Sequence, residues 1–431
     1  MTKQERAWIF YDVANSAYSI VITAAVFPIF FKNFAASGVE TFQSTAWLGY
    51  SNSSYTLIVA LFAPIIGTLA DYKNFKMRFF RFFFVLGVLG TVLFAFIGEG
   101  QWLAASIIYV VSALGFAGAN IFYDSFLIDV TPKARMDFMS TAGFAFGYIG
   151  GSTVPFIIGI LIISNFRVFG FANSIPAVKA VFVLTAVWWA IFTLPFLRNV
   201  KQRYFIDPSA APVRNAVKQI LSTIRKIRSH RKIFLFLIAY FFYIDGVGTI
   251  IKMAAAFGTD IGIGSTTLMI ILLAVQIVAF PFALLYGRLA KATSTRFMLL
   301  VGIGIYVLIT ILAYILPALP SPGAKVILFW VLSMLVATSQ GGIQALSRSY
   351  YGKLIPPQRS AEFFGFYNIF GKFAAILGPF LMGFVTQATH SSRYGVLSLI
   401  VLFLAGGFVL TRIRDDAGPA HPQGFTPKNP A

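Results

Sequence analysis

Apolar and polar positions along this chain fall into long blocks, not at the period of a water-facing helix or strand. Twelve blocks of about 20 apolar residues, each enough to cross a bilayer as a helix, run at roughly 8–34, 45–70, 77–98, 102–130, 138–164, 176–197, 232–257, 265–290, 296–316, 323–352, 361–387 and 393–413. Pro28, Asn52, Gly98, Gly100, Pro132, Pro176, Pro208, Pro317 and Pro322 fall at their ends or kinks. The first block follows Lys3 and Arg6, as a secretory signal would. It far exceeds the about 7–15 residues of a signal core, so we expect a retained helix.

Composition turns this pattern into a class. The 431 residues are 58% hydrophobic and 11% charged, with mean hydropathy +0.80, whereas soluble domains carry about 25% charged residues. An integral, all-α membrane protein is expected. The absence of cysteine removes disulfides, thiolate metal sites and cysteine nucleophiles, and neither a metal-ligand cluster nor a cofactor motif stands out. The net charge of +20 reads as a topology signal, not a nucleic-acid footprint. One side of the twelve spans gathers Lys3, Arg6, Lys73, Lys76, Arg78, Arg81, Lys133, Arg135, Arg288, Lys291, Arg296, Arg348, Lys353, Arg359, Arg412, Arg414 and Lys428. The other has Lys32, Arg167, Lys179, Lys325 and Arg393. Seventeen against five puts both termini in the cytoplasm.

The spans divide into two sixes. Residues 1–197 and 232–414 flank a basic segment, 198–231, and a tail follows at 415–431. In that segment Val213, Val217, Ile220, Ile224 and Ile227 recur every three or four residues between basic ones. The pattern is that of an amphipathic helix on an anionic leaflet, the alternative being a solvated linker. A shift of 224 residues pairs Pro132 with Pro356, Arg135 with Arg359, Gly147 with Gly371, Pro155 with Pro379, Phe156 with Phe380 and Gly159 with Gly383. A shift of 220 pairs Gly67, Leu69 and Ala70 with Gly287, Leu289 and Ala290. A duplicated six-helix unit explains both offsets, and parallel repeats place a substrate site between the halves near the midplane.

The stretch Gly67 to Lys76, with Asp71, Lys73 and Asn74, resembles the loop motif between helices two and three of the major facilitator superfamily. Asn74 stands at that motif's second glycine, where Asn tolerates a left-handed turn. The second copy, Gly287 to Lys291, has lysine in place of the acid. The opening, Tyr11, Asp12, Ala14, Asn15, Ser16, Ala17 and Tyr18 followed by Phe27 and Pro28, is similar to the vacuole-effluxer branch of that superfamily, as is Phe242 to Gly246. The resemblance implies a fold of two pseudo-twofold six-helix bundles, transport by alternating access, and export of amino acids or related small zwitterions.

Charge at bilayer depth costs about 2.5–3.5 kcal/mol, so each polar residue there needs a reason. Tyr11, Asn15 and Tyr18 share one face of helix one, with Asp12 beside it. Asn120 and Asp124 lie a turn apart on helix four, and the 224 offset sets them opposite Gln344 and Arg348. Asp124 and Arg348 are expected to pair when the cytoplasmic side is closed, the alternative being an Arg348 that reaches lipid phosphate. Lys252, expected toward the membrane centre, follows Asp245 and Thr249 on helix seven; Asn368 and Lys372 lie on helix eleven. The two lysines, with Gln276 and Gln344, suit an anionic or zwitterionic ligand, unless each merely neutralises an aspartate of the bundle. Tyr11, Asn15, Tyr18, Asn120, Lys252, Gln276, Gln344, Asn368 and Lys372 are therefore the substrate-binding candidates. Asp12 and Asp245 are the proton-coupling candidates, Asp12 having a helix-capping role as its alternative. Asp71, Asp124 and Arg348 are the gating candidates. Asp137 and Glu362, at helix starts, read as helix-dipole partners.

The leading expectation is a secondary transporter, a monomer in the bacterial inner membrane with a small-molecule substrate and lipid neighbours, and no nucleic-acid partner. A carrier of lipid-linked, sugar or peptide cargo is the alternative; a membrane enzyme or a channel ranks lower. A vacuolar location also stays open.

Overall fold

The computed structural model describes residues 1–39, 41–206 and 231–413. The expected amphipathic helix over 213–227 and the tail at 415–431 lie outside the described residues. Twelve long helices are present among the described ones. They are α1 Lys3–Ala35, α2 Thr41–Ala70, α3 Phe75–Phe96, α4 Trp102–Val130, α5 Lys133–Ser164, α6 Ser174–Asn199, α7 Arg231–Asp260, α8 Ser265–Ala292, α9 Thr295–Ala318, α10 Pro322–Leu354, α11 Ser360–Thr389 and α12 Arg393–Thr411. Eleven have a stretch apolar and long enough to cross a bilayer, and α2 has no charged residue in its 30 positions.

Local chemistry sets the ends. Thr2 and Glu5 form a reciprocal cap on α1: the Glu5 amide donates to Thr2 Oγ1 at 3.1 Å, and the Thr2 amide donates to Glu5 Oε2 at 2.8 Å. Asn74 takes φ 68°, the left-handed turn that its short side chain tolerates between α2 and α3. The duplication is visible in these ends. Helix α4 stops at Val130, a 3₁₀ turn covers Lys133–Arg135 and an α-helix resumes at Met136. The same events recur at Leu354, Pro357–Arg359 and Ser360, 224 residues later. Helices α1–α6 and α7–α12 are the two six-helix bundles.

The copies differ in one respect that sequence periodicity does not carry. Helix α1 widens into π-helical turns at Ser19–Ala25 and Phe31–Ala35, and α5 does so at Gly147–Thr153. Pro155, just past the α5 segment, has no N–H for the carbonyl four residues back, so the ladder resets there. No π turn occurs at the matching stretch of α11, where Pro379 stays inside a continuous α-helix.

The bundles press together at the end where α1 begins and α12 stops, the terminal end. At Gly67 a Cβ would lie 2.6 Å from the Ala361 carbonyl, so only glycine lets α2 approach α11 this closely. Residues after α6 fold back over the same end. The amides of Arg203 and Tyr204 donate to Asp129 Oδ1 at 2.7 and 3.0 Å. Ile206 exchanges backbone bonds with Asp71 and Lys73 at 2.9 and 3.3 Å. This strap lies on the loop that carries Asp71.

Candidate functional site

A buried charge cluster seals the middle of the terminal end, roughly 10–15 Å along the helices from their ends. Arg348 of α10 donates from Nη1 to Asp124 Oδ1 of α4 at 3.1 Å and from Nη2 to Asp12 Oδ2 of α1 at 3.2 Å. Its Nε and Nη2 also donate to the Ser140 hydroxyl and carbonyl at 2.8 and 3.1 Å. The guanidinium, 4% exposed, lies 4.7 Å from the Trp8 ring centroid and 4.6 Å from that of Phe144. Tyr123 donates its hydroxyl to Asp12 at 2.7 Å. Asp12, Asp124 and Arg348 thus form a triad joining the halves. Two carboxylates face one guanidinium, so uptake of a single proton makes it neutral.

Nearer the terminal surface two further grips cross between the halves. The Asp71 carboxylate accepts the first free amides of α11, from Ala361 and Glu362, both at 2.9 Å. Lys76 Nζ donates to Asp129 Oδ2 at 2.7 Å and to Ser360 Oγ at 2.8 Å. Asp71 lies in the loop beyond α2. Burial pushes its carboxyl up to about 8, although Lys76 and the two amides act the other way and Glu362 adds to the rise. In the second grip the acid again comes from the first half. Asp137 of α5 accepts from Ser349 at 2.6 Å, from Thr295 at 2.7 Å and from Lys353 Nζ, all in the other half. Ser140 adds a bond to the Ala345 carbonyl at 2.7 Å. Asp137 was expected to serve its own helix dipole; instead it spans the halves. Glu362 is fully buried and paired with Arg359 at 2.9 Å. Where the second loop motif has Lys291 in place of an acid, the inter-half carboxylate at this end is Asp137 of α5, held by Thr295, Ser349 and Lys353.

Beyond the triad a cavity of about 870 Å³ opens between the halves toward the far end. Helix α1 gives it Ile20, Thr23 and Ala24, α2 gives Asn52, Tyr55 and Thr56, and α5 gives Ser152, Thr153 and Phe156. The π-helical turns of α1 and α5 thus form part of its wall. The other half contributes Lys252, Gln276, Leu272, Phe373 and Ile376.

Of the substrate-binding candidates, Lys252 and Gln276 line this cavity. Lys252 lies 21 residues past Arg231, roughly 31 Å along α7. It therefore sits toward the far mouth, not at the membrane centre as the sequence suggested. Asn15 donates to Asn120 Oδ1 at 2.9 Å, joining α1 to α4 between triad and cavity. Gln344 and Asn368 donate to carbonyls of their own helices, Gln340 at 3.1 Å and Phe364 at 3.0 Å. Lys372 falls on α11, its side chain outside what is described. Tyr11 and Tyr18 do not reach the cavity. Tyr11 packs against Phe80, Tyr123 and Phe196, and Tyr18 stacks on Phe116 with Trp189 beside it, so their stripe is a packing face. Asp245 is 1% exposed on α7; its Oδ1 accepts from Thr249 at 3.5 Å and its Oδ2 has no hydrogen-bond partner.

Comparison with known proteins agrees with this architecture. A family profile described as "Vacuole effluxer Atg22 like" matches residues 1–132 and 130–420. The chain is 51% identical over 417 residues to "Uncharacterized MFS-type transporter YxiO" of Bacillus subtilis (strain 168), covering 96% of each. It is 24% identical over 447 residues to "Autophagy-related protein 22" of Pichia angusta, covering 91% of this chain and 78% of that one. Among solved structures, the major facilitator superfamily transporter FucP in its outward conformation superposes with TM-score 0.72 at 13% identity, covering 96% of this chain and 98% of that one. A bacterial homologue of the iron transporter ferroportin gives 0.69 at 14% identity, with the same coverage. These two establish likeness of fold.

Proposed function

The chain belongs to the Atg22-like vacuole effluxer family and is an integral membrane transporter of the major facilitator type, not an enzyme; from that premise we propose that it exports a small zwitterionic or anionic solute, such as an amino acid, by alternating access. The observation that carries this reading is the pairing of a large inter-half cavity with a polar seal beneath it. The excess of basic residues at the terminal end supports a cytoplasmic location for that end. The structure then corresponds to the carrier closed to the cytoplasm and open outward. Rocking α1–α6 against α7–α12 would break the triad and the two outer grips while the far mouth closes.

In this reading the exported solute meets Asn15, Asn120, Gln344, Asn368 and Lys372 as it enters past the cavity floor, and Lys252 and Gln276 are its last contacts before release. Asp71, Asp124 and Arg348 gate the cytoplasmic side. Asp12 takes the coupling proton: with it protonated, the triad is neutral, and separating the halves leaves one carboxylate, Asp124, to be rehydrated instead of two. Asp245, buried with one oxygen unpartnered, is a second proton site. The carrier works as a monomer in a bacterial plasma membrane.

Counterflow into proteoliposomes, screened over amino acids and organic acids with and without a pH gradient, tests the proposal. Saturable counterflow lost in Arg348→Met is expected. Flux that neither saturates nor exchanges would overturn the carrier mechanism, and flux indifferent to a pH gradient would remove the proton.

A further inference from the structure

We propose that the cavity selects a soluble organic monoanion, a carboxylate without an ammonium group, with Lys252 as its charge partner. The inference rests on the carrier reading and narrows its substrate class. Lys252 reaches the cavity wall exposed and makes no ion pair among the described residues. Gln276, half-buried on α8, also lacks a side-chain partner there, which leaves its amide free for a carboxylate oxygen. The facing wall is neutral. Asn52 is already engaged, accepting from Tyr109 and donating to the Leu48 carbonyl, both at 2.9 Å. Hydroxyls of Thr23 and Ser152 remain for a neutral polar group.

The described acids favour an anion over a zwitterion. Of its fourteen, seven lie at the terminal end with partners of their own: Glu5 and the six of the triad, the two grips and the Arg359 pair. Asp245 is buried, about two turns below Lys252, off the described cavity lining. Glu99 is exposed in the α3–α4 turn. Glu40, Asp207, Asp415 and Asp416 lie outside the described residues, as does the side chain of Asp260. No described carboxylate therefore meets an ammonium in the cavity, while Lys252 repels it. The far mouth has the same sign: Lys32, Arg167, Lys179, Lys325 and Arg393 stand at that end, against Glu99 among described side chains. Such a field concentrates anions at the mouth.

The test uses matched pairs of aliphatic and aromatic amino acids and their 2-hydroxy acids, which differ in replacing the ammonium by a hydroxyl. Binding to the purified full chain is measured by calorimetry at neutral pH, and transport by counterflow. At least one hydroxy acid should bind about tenfold or more tighter than its amino acid. Lys252→Gln should weaken that binding about ten- to a hundredfold, the worth of a hydrogen-bonded charge. Lys252→Arg should retain most of it. Tighter binding of the amino acid in every pair, no binding by any hydroxy acid, or unchanged affinity in Lys252→Gln overturns the inference. A hydroxy acid that binds through Lys252 yet never exchanges upholds the ligand class and rejects the carrier. Amino-acid exchange without hydroxy-acid binding does the reverse.

Discussion

Replacing Arg348 by methionine isolates the energetic role of the triad. The side chain is 4% exposed and holds both Asp12 and Asp124 at 3.1–3.2 Å. Removing one partner of a buried ion pair costs about 3–5 kcal/mol, because the remaining charge is left without compensation. Here two carboxylates are left, only in the conformer where the halves meet. The closed terminal end should therefore lose a factor of about 10²–10⁴ in population relative to the open one, at about 1.4 kcal/mol per tenfold. The chain contains no cysteine, so a single Thr23→Cys on the cavity wall reports far-end opening without background. Its maleimide labelling should be rapid in the parent and at least tenfold slower in Arg348→Met. Adding Asp12→Asn and Asp124→Asn removes the stranded charges and should restore labelling to within about threefold, since a buried ion cluster and its neutral replacement differ little. A charge swap of Asp124 and Arg348 alone should not rescue, because the new acid would face Asp12. Undiminished labelling in the single variant, or failure of the triple variant to recover while its thermal unfolding matches the parent, would refute the reasoning.

Asp71 predicts a pH step. Its carboxyl is raised to about 8 by burial in the closed conformer, against an ordinary value near 4 when hydrated. The closed conformer thus binds the extra proton, and its advantage, complete below about 4, is lost as pH rises through about 8. Thr23→Cys labelling, corrected for thiolate reactivity, should fall above that pH, and Asp71→Asn should abolish the step. Asp129→Ala strands Lys76 in a fully buried site and frees the amides of Arg203 and Tyr204. Hydrogen exchange at those two amides should accelerate at least tenfold, and a strap that stays protected would contradict the geometry. Gly67→Ala places a methyl against the Ala361 carbonyl; overpacking of about 1–3 kcal/mol should cut Thr23→Cys labelling by about tenfold or more. Normal labelling would mean that α2 and α11 do not meet so closely.

What the sequence conveys and what it withholds follow from how each signal is encoded. Span boundaries depend on composition over about 20 residues, and the twelve blocks match the twelve helices within a few residues. The 224-residue offset fixes relative height in the two halves, so it brought Asp124 and Arg348 to one level, where they now lie at 3.1 Å. It says nothing of rotation about each helix axis. Asp12 therefore entered the pair unannounced, and Asp137 seemed to serve its own helix when it reaches Thr295, Ser349 and Lys353 across the interface. Tyr11 and Tyr18 show the same limit, since a stripe at i and i+7 marks a shared face and leaves open whether it meets a cavity or a neighbouring ring. The π turns of α1 and α5 have no periodic signature, because a widened turn shifts the register by one residue only locally.

The two ends of the carrier differ in chemistry, and temperature exposes the difference. Eleven hydrogen bonds described above join the halves at the terminal end. At about 1 kcal/mol net each they favour the closed conformer by on the order of 10 kcal/mol. A gap of even about 5.5 kcal/mol carries a two-state equilibrium from one extreme to the other, so the opposite conformer must regain most of that amount. The wall that would close there is built of Leu57, Phe156, Leu272, Phe373 and Ile376 around a few neutral polar groups. Burying on the order of 400 Å² of apolar surface supplies about 10 kcal/mol at about 25 cal/mol/Å². Polar contacts hold one end and hydrophobic burial the other, and the second weakens on cooling. Cooling should therefore enrich the outward-open conformer. The labelling rate of Thr23→Cys, divided by that of a free thiol at each temperature, should rise as temperature falls. A ratio that is flat or falls on cooling would require the far end to close through polar bonds as well.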